Sequence, residues 1–130
     1  MKKGFVITLA LLVALASTCA AQDQAAKDQA YKDPAKLAGL VAQIPYILVD
    51  VRTPEEFASG CIPTAVNIPV TDIALKPPTQ DKNALIIVYC ASGRRSAQAA
   101  KTLTDMGYTR VVDFGGISRW TGELVRPEKK

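Results

Sequence analysis

Apolar residues along this chain come in two patterns, short continuous runs and runs with helical spacing, and the two alternate. The first helical pattern places Leu37, Leu40, Val41 and Ile44 on one face. Asp33-Pro34 supplies an N-cap and first helical residue, and Pro45 supplies the stop. Tyr46 to Val51 is a continuous apolar run with one acid, as expected of a strand covered on both faces. Thr53-Pro-Glu-Glu56 starts a second helix by N-cap, proline and first-turn acids, and Gly60 ends it. Ala65 to Ile68 reads as a short strand closed by Pro69. Thr71 to Leu75 allows one helical turn, and 77–83 is a connection.

Leu85-Ile-Ile-Val-Tyr-Cys90 is the most apolar internal run, a buried strand that delivers a thiol into the small, polar loop Ala91-Ser-Gly-Arg-Arg-Ser96. A helix follows, with Ala99, Leu103 and Met106 as its apolar stripe and Gly107 as its end. Thr109 to Asp113 predicts a further strand, Gly115-Gly116 a turn, and Ile117 to Leu124 a last helix. Strands alternating with helices make this an α/β domain, with a mostly parallel central sheet and helices on both faces. Sites in such sheets lie at the carboxyl ends of strands, where Cys90, Asp50 and Arg52 all fall.

The run Phe5 to Leu15 stands outside this pattern. Two lysines precede it and the small residues Ala16 to Ala21 follow, the signature of a secretory signal peptide. It is too short for a transmembrane helix. Cleavage after Ala21 would give an exported, periplasmic protein with no membrane span; lipoprotein processing at Cys19 would instead tether it. The expected organisation is signal peptide 1–21, linker 22–32, folded domain 33–126 and tail 127–130, with a monomer favoured.

Composition narrows the chemistry. The formal charge of +4 falls to +2 once Lys2 and Lys3 are removed, and aromatics make up 6%. With no basic stripe interleaved with aromatics, nucleic acid is excluded as a partner. The chain has no histidine and three cysteines, one of them in the signal segment. Cys-His and Ser-His hydrolase pairs are therefore excluded, as are histidine metal sites and a disulfide framework. No metal or cofactor is expected.

What remains is a thiol, carboxylates, arginines and backbone. A loop at a helix N-terminus presents unpaired N–H groups and a partial positive charge, which together cradle anions and favour a thiolate. Arg94 and Arg95 add fixed charge, and no acid lies between Lys82 and Lys101 to cancel it. Cys90 is thus the candidate nucleophile, with Ala91, Ser92, Gly93, Arg94, Arg95 and Ser96 as its substrate loop. Phosphoryl or arsenate transfer and sulfane-sulfur transfer both suit such a cradle. Cysteine phosphatases place an arginine after five intervening residues; here that position is Ser96, and Arg95 comes one residue early.

Cys90-Ala-Ser-Gly-Arg-Arg-Ser96 resembles the active-site loop of single-domain rhodaneses, with their Cys-x-x-Gly-x-Arg-Ser pattern. Leu48 to Phe57 is similar to the family's Asp-x-Arg…Glu-Phe segment. Gly60 to Ala65, leading to Asn67-Ile-Pro69, is similar to Gly-His-Ile-Pro-Gly-Ala, and Gly115 to Trp120 to Gly-Gly-x-x-x-Trp. The chain departs at Cys61, the family's histidine, and at Thr64, its second glycine, which bears on the local backbone.

The resemblance implies a rhodanese-like single domain and a persulfide cycle. The Cys90 thiolate takes the outer sulfur of thiosulfate or another small sulfur anion, and passes it to cyanide or a thiol. The loop N–H groups would hold the anionic sulfur, and Arg94 or Arg95, with Arg95 favoured by the pattern, would face the substrate. A relay module handing persulfide to a protein partner is the alternative function. Asp50, Arg52 and Glu55 are structural support, with Arg52 paired to Glu55 or Glu56. Cys61 is expected to be a small buried residue rather than a second redox thiol, and Trp120 a core residue.

Overall fold

The computed structural model describes residues 20–40 and 43–128. Residues 1–19 of the expected export segment, Cys19 among them, and Val41 lie outside the described residues. Helix α1 covers 20–28 and runs into a 3-10 turn at Gln29–Lys32. Then come α2 (Pro34–Leu40), β1 (Ile47–Asp50), α3 (Pro54–Ser59), β2 (Val66–Asn67), β3 (Leu85–Cys90), α4 (Arg94–Asp105) and β4 (Arg110–Gly116). The strands form one parallel sheet in the order β2-β1-β3-β4.

Every residue of β3 is buried, because the central strand is covered on both faces. Strand alternation sends Leu85, Ile87 and Tyr89 to one face, where they meet Leu37, Leu40, Ile62 and Phe114. It sends Ile86, Val88 and Cys90 to the other, against Ala99 and Leu103 of α4 and against Val51 and Ile73. Each such fully buried aliphatic side chain contributes about 1.5–3 kcal/mol. Cys90 therefore faces α4, and Tyr89 faces α2.

The first four elements of the predicted order stand with small changes of boundary. The Thr53 start of α3 is a full capping box, with Glu56 N–H donating to Thr53 Oγ1 and Thr53 N–H donating to the Glu56 carboxylate. Residues 71–75 form hydrogen-bonded turns rather than a helix.

Three expectations are corrected. The 22–32 stretch, expected as a leader or linker with at most a frayed helix, is helical and fixed to the sheet. The Asp28 carboxylate, 1% exposed, takes a fork of hydrogen bonds from Arg110 at 2.7 and 2.9 Å, and Gln29 donates to Val111 O. Gly115-Gly116 is not a turn but the end of β4, carried there by a bulge that leaves Phe114 unmatched between Asp113 and Gly115. The helix expected over Ile117–Leu124 stops as a 3-10 turn at Arg119, and the chain extends so that Val125 pairs with Cys61.

Thr64 is the one non-glycine residue with positive φ among the described residues, at 74°. Its hydroxyl sits 2.8 Å from that of Tyr46, which ties down the unusual backbone.

Candidate active site

Strand β3 ends at Cys90, and α4 begins four residues later at Arg94 with Gly93 as its N-cap. Gly93 has φ 101°, a conformation that costs a side chain dearly, and it turns the loop tightly enough to aim its own N–H at the Cys90 Sγ, 3.0 Å away. Ser96, fully buried, donates its hydroxyl to Gly93 O at 3.0 Å and lies 3.4 Å from Gly115 O. It straps the loop to β4. Cys90 is itself 0% exposed, and the exposed loop members are Ser92 and Arg94.

Burial is the largest single influence on the Cys90 thiol and opposes its ionisation. Against it act the N–H and hydroxyl of Ser96 and the N–H groups of Gly93 and Ser92, and together they hold the thiol below its ordinary value. The charge expected from Arg94 and Arg95 is not among the main causes. Cys61 supplies the contrast. It too is a free, buried thiol, but burial and the nearby Asp50 charge push it up, and it lacks a loop of donors. It neighbours the Tyr89 hydroxyl, on the sheet face opposite Cys90, so the two cysteines are not brought together. The Tyr89 phenol, which takes a hydrogen bond from Ile62 N–H, is likewise pushed up by burial and by Asp50.

Asp50 and Arg52, both buried, face each other rather than the loop. Arg52 Nη2 reaches Asp50 Oδ2 at 2.7 Å and Gly60 O at 2.6 Å, so the pair fixes the turn from β1 into α3 and onward to Gly60. Asn67 adds hydrogen bonds to Asp50 O and Arg52 O. The expected partner of Arg52 is thus corrected from Glu55 or Glu56 to Asp50. Glu55 is exposed and forms no ion pair among the described residues, and Glu56 turns to Arg95 instead. Arg95 Nη1 and Nη2 donate to the two Glu56 oxygens at 2.7 and 2.9 Å. The arginine that the pattern would aim at substrate is therefore bound, and Arg94 has no ion pair among the described residues.

Sequence reasoning missed Gly116. It pairs with Cys90 across the sheet, and a Cβ there would lie 2.7 Å from Ala91 O. The Gly-Gly motif was the available signal, but only the bulge sets which glycine meets the loop. Two surface clefts of about 320 Å³ lie elsewhere. One is lined by Lys27, Tyr31, Lys36 and Leu40, the other by Tyr46, Asp81, Leu85 and Arg110, and neither includes a residue of the Cys90 loop. Among the described residues no helix is long and apolar enough to cross a membrane.

A buried thiol at the carboxyl end of a central parallel strand, lowered by loop donors, is the geometry of a nucleophile in an anion cradle. The family model for the rhodanese-like domain matches residues 33–123. The chain belongs to the rhodanese-like domain family. It is 41% identical over 86 residues to a sulfurtransferase of Allochromatium vinosum, covering 63% of this chain and 80% of that one. It is also 41% identical over 71 residues to the thiosulfate sulfurtransferase PspE of Escherichia coli, covering 53% and 68%. Among solved structures, a rhodanese-like domain protein from Staphylococcus aureus superposes with a TM-score of 0.64 at 35% identity, covering 75% of this chain and 95% of that one. The rhodanese-like α/β architecture read from the sequence is the architecture found. Sulfur transfer is the activity that these relatives' names carry.

Proposed function

We propose that this rhodanese-like protein is a thiosulfate sulfurtransferase working through a persulfide on Cys90. One observation carries the reading: of the two buried cysteines among the described residues, only Cys90 is ringed by loop donors that favour its thiolate. The thiolate attacks the outer sulfur of thiosulfate. A new S–S bond forms to Cys90, the sulfur–sulfur bond within thiosulfate breaks, and its electron pair leaves with sulfite. Cyanide or a thiolate then attacks the outer sulfur of the persulfide, and Cys90 departs as thiolate, ready for the next cycle. No general base is required, because the nucleophile enters and leaves ionised.

The loop N–H groups meet the charge of the transferred sulfur as an oxyanion hole meets oxygen. Exposed Arg94, at the N-terminus of α4, supplies the free charge that draws a dianionic donor and favours departing sulfite. The apolar segment Phe5–Leu15 with its basic start supports export, and with it a periplasmic setting for this activity.

The test is thiocyanate formation from thiosulfate and cyanide, with sulfite released in equal amount. Cys90→Ala should abolish it. Unchanged turnover in that variant would overturn the proposal, whereas rapid sulfur uptake with negligible turnover would indicate the relay module instead.

A further inference from the structure

Gly116 has φ −86° and ψ 145°, an ordinary extended backbone that any residue adopts. Its lack of a side chain therefore serves space and not conformation. The space is filled by the loop: an ideal Cβ at 116 would stand 2.7 Å from Ala91 O, 3.2 Å from Ser92 Cα and 3.3 Å from Ser92 C. All three are backbone atoms, which cannot swing aside as the tip of a side chain can. The bulge in β4 makes this contact. With the bulge after Asp113, Gly115 pairs with Tyr89 and Gly116 with Cys90; without it, Gly115 would stand opposite Cys90.

We propose that Gly116 is a positioning residue for sulfur transfer, the floor on which the Ala91–Ser92 arm of the loop rests so that its N–H groups close around the Cys90 sulfur. The inference rests on Cys90 being the sulfur-carrying nucleophile. The loop is otherwise held at its far end, by the Ser96 hydroxyl on Gly93 O and by Arg95 on Glu56. The arm that leaves Cys90 lies directly against β4 at Gly116. A methyl group at 116 lifts Ala91 and Ser92 and widens the cradle. It adds no charge, so it acts on the thiol through the geometry of the loop, by drawing its donors away from the sulfur.

The test is Gly116→Ala, with Gly39→Ala as a matched control at a site where a Cβ meets nothing within 4 Å. The pH profile of Cys90 alkylation by iodoacetamide reads the donors directly and needs no sulfur donor. The Gly116→Ala midpoint should rise by about one pH unit, slowing alkylation at neutral pH about tenfold. Gly39→Ala should match the wild type, and both variants should melt cooperatively. A Gly116→Ala profile that superposes on the wild type overturns the proposal. So does loss of the folded state, since the claim is that the loop yields and the sheet does not. Because alkylation is independent of turnover, a failure here is distinguishable from a wild-type protein that takes up no sulfur.

Discussion

Arg95 and Glu56, 39 residues apart in sequence, join the Cys90 loop to the first turn of α3 through two parallel hydrogen bonds of 2.7 and 2.9 Å. The same Glu56 carboxylate accepts the Thr53 N–H at 2.9 Å, so the helix cap and the loop anchor share one group. Arg95 is thereby a structural arginine whose charge is matched.

Glu56→Gln separates these two roles, because glutamine also completes a capping box. The pair is about one-third exposed, with side chains at 32% and 36%, so its loss should cost less than about 1 kcal/mol of stability. Sulfur transfer should fall about tenfold in kcat/KM, roughly 1.4 kcal/mol of transition-state stabilisation, as the loop loosens. Arg95 and the Thr53 N–H hold the Glu56 carboxyl down at about 2, below its ordinary 4.5. A lowered carboxylate contributes its stability above the ordinary value and loses it as pH falls through the folded one. The difference in melting between wild type and variant should hold through neutral pH and shrink only in acid. Steady-state kinetics and thermal melts across pH check both points.

Ser96→Ala removes the hydroxyl that straps the loop and one of the donors that favour the Cys90 thiolate. The midpoint of Cys90 alkylation in the wild type should lie below an ordinary thiol's value of about 8.5. In Ser96→Ala it should move up towards that value, with slower alkylation at neutral pH. A midpoint that stays in place would assign the lowered thiol to another cause.

The N-terminal helix answers to the same kind of argument. Asp28 is desolvated, which raises its carboxyl, but the Arg110 and Gln24 hydrogen bonds and the Arg110 charge leave it lowered overall. Asp28→Asn should cost about 1–2 kcal/mol, less than a fully buried pair because the Arg110 side chain is 27% exposed. That is a fall in Tm of about 4–8 °C per kcal/mol for a domain of this size. The contribution is present above the ordinary carboxylate value and is lost as pH falls below it. Differential scanning calorimetry at neutral and acid pH would show a gap between wild type and variant that closes in acid.

Much of this site was legible because its signals are local. The apolar run into Cys90, the glycine three residues on and the helical stripe beyond follow from neighbours in sequence. So does the Thr53 cap. What escaped depends on residues meeting across the fold. Whether Glu55 or Glu56 meets the loop depends on how α3 is turned about its axis, and the register of Gly116 depends on a bulge.

The missing last helix has a similar cause. Trp120 lies over Gly122, where a Cβ would fall 2.8 Å from the ring, and Val125 is drawn off to pair with Cys61. The departure at Thr64, by contrast, was a sound local signal. The position does take a positive φ, and Tyr46 makes threonine workable there.

The most direct measurement is intact mass and peptide mapping of the protein after incubation with thiosulfate and removal of the excess. The expected result is the added mass of one sulfur atom, located on Cys90, absent from Cys61 and discharged by cyanide as thiocyanate. An unmodified Cys90 that still alkylates readily, or a sulfur found on Cys61, would contradict it.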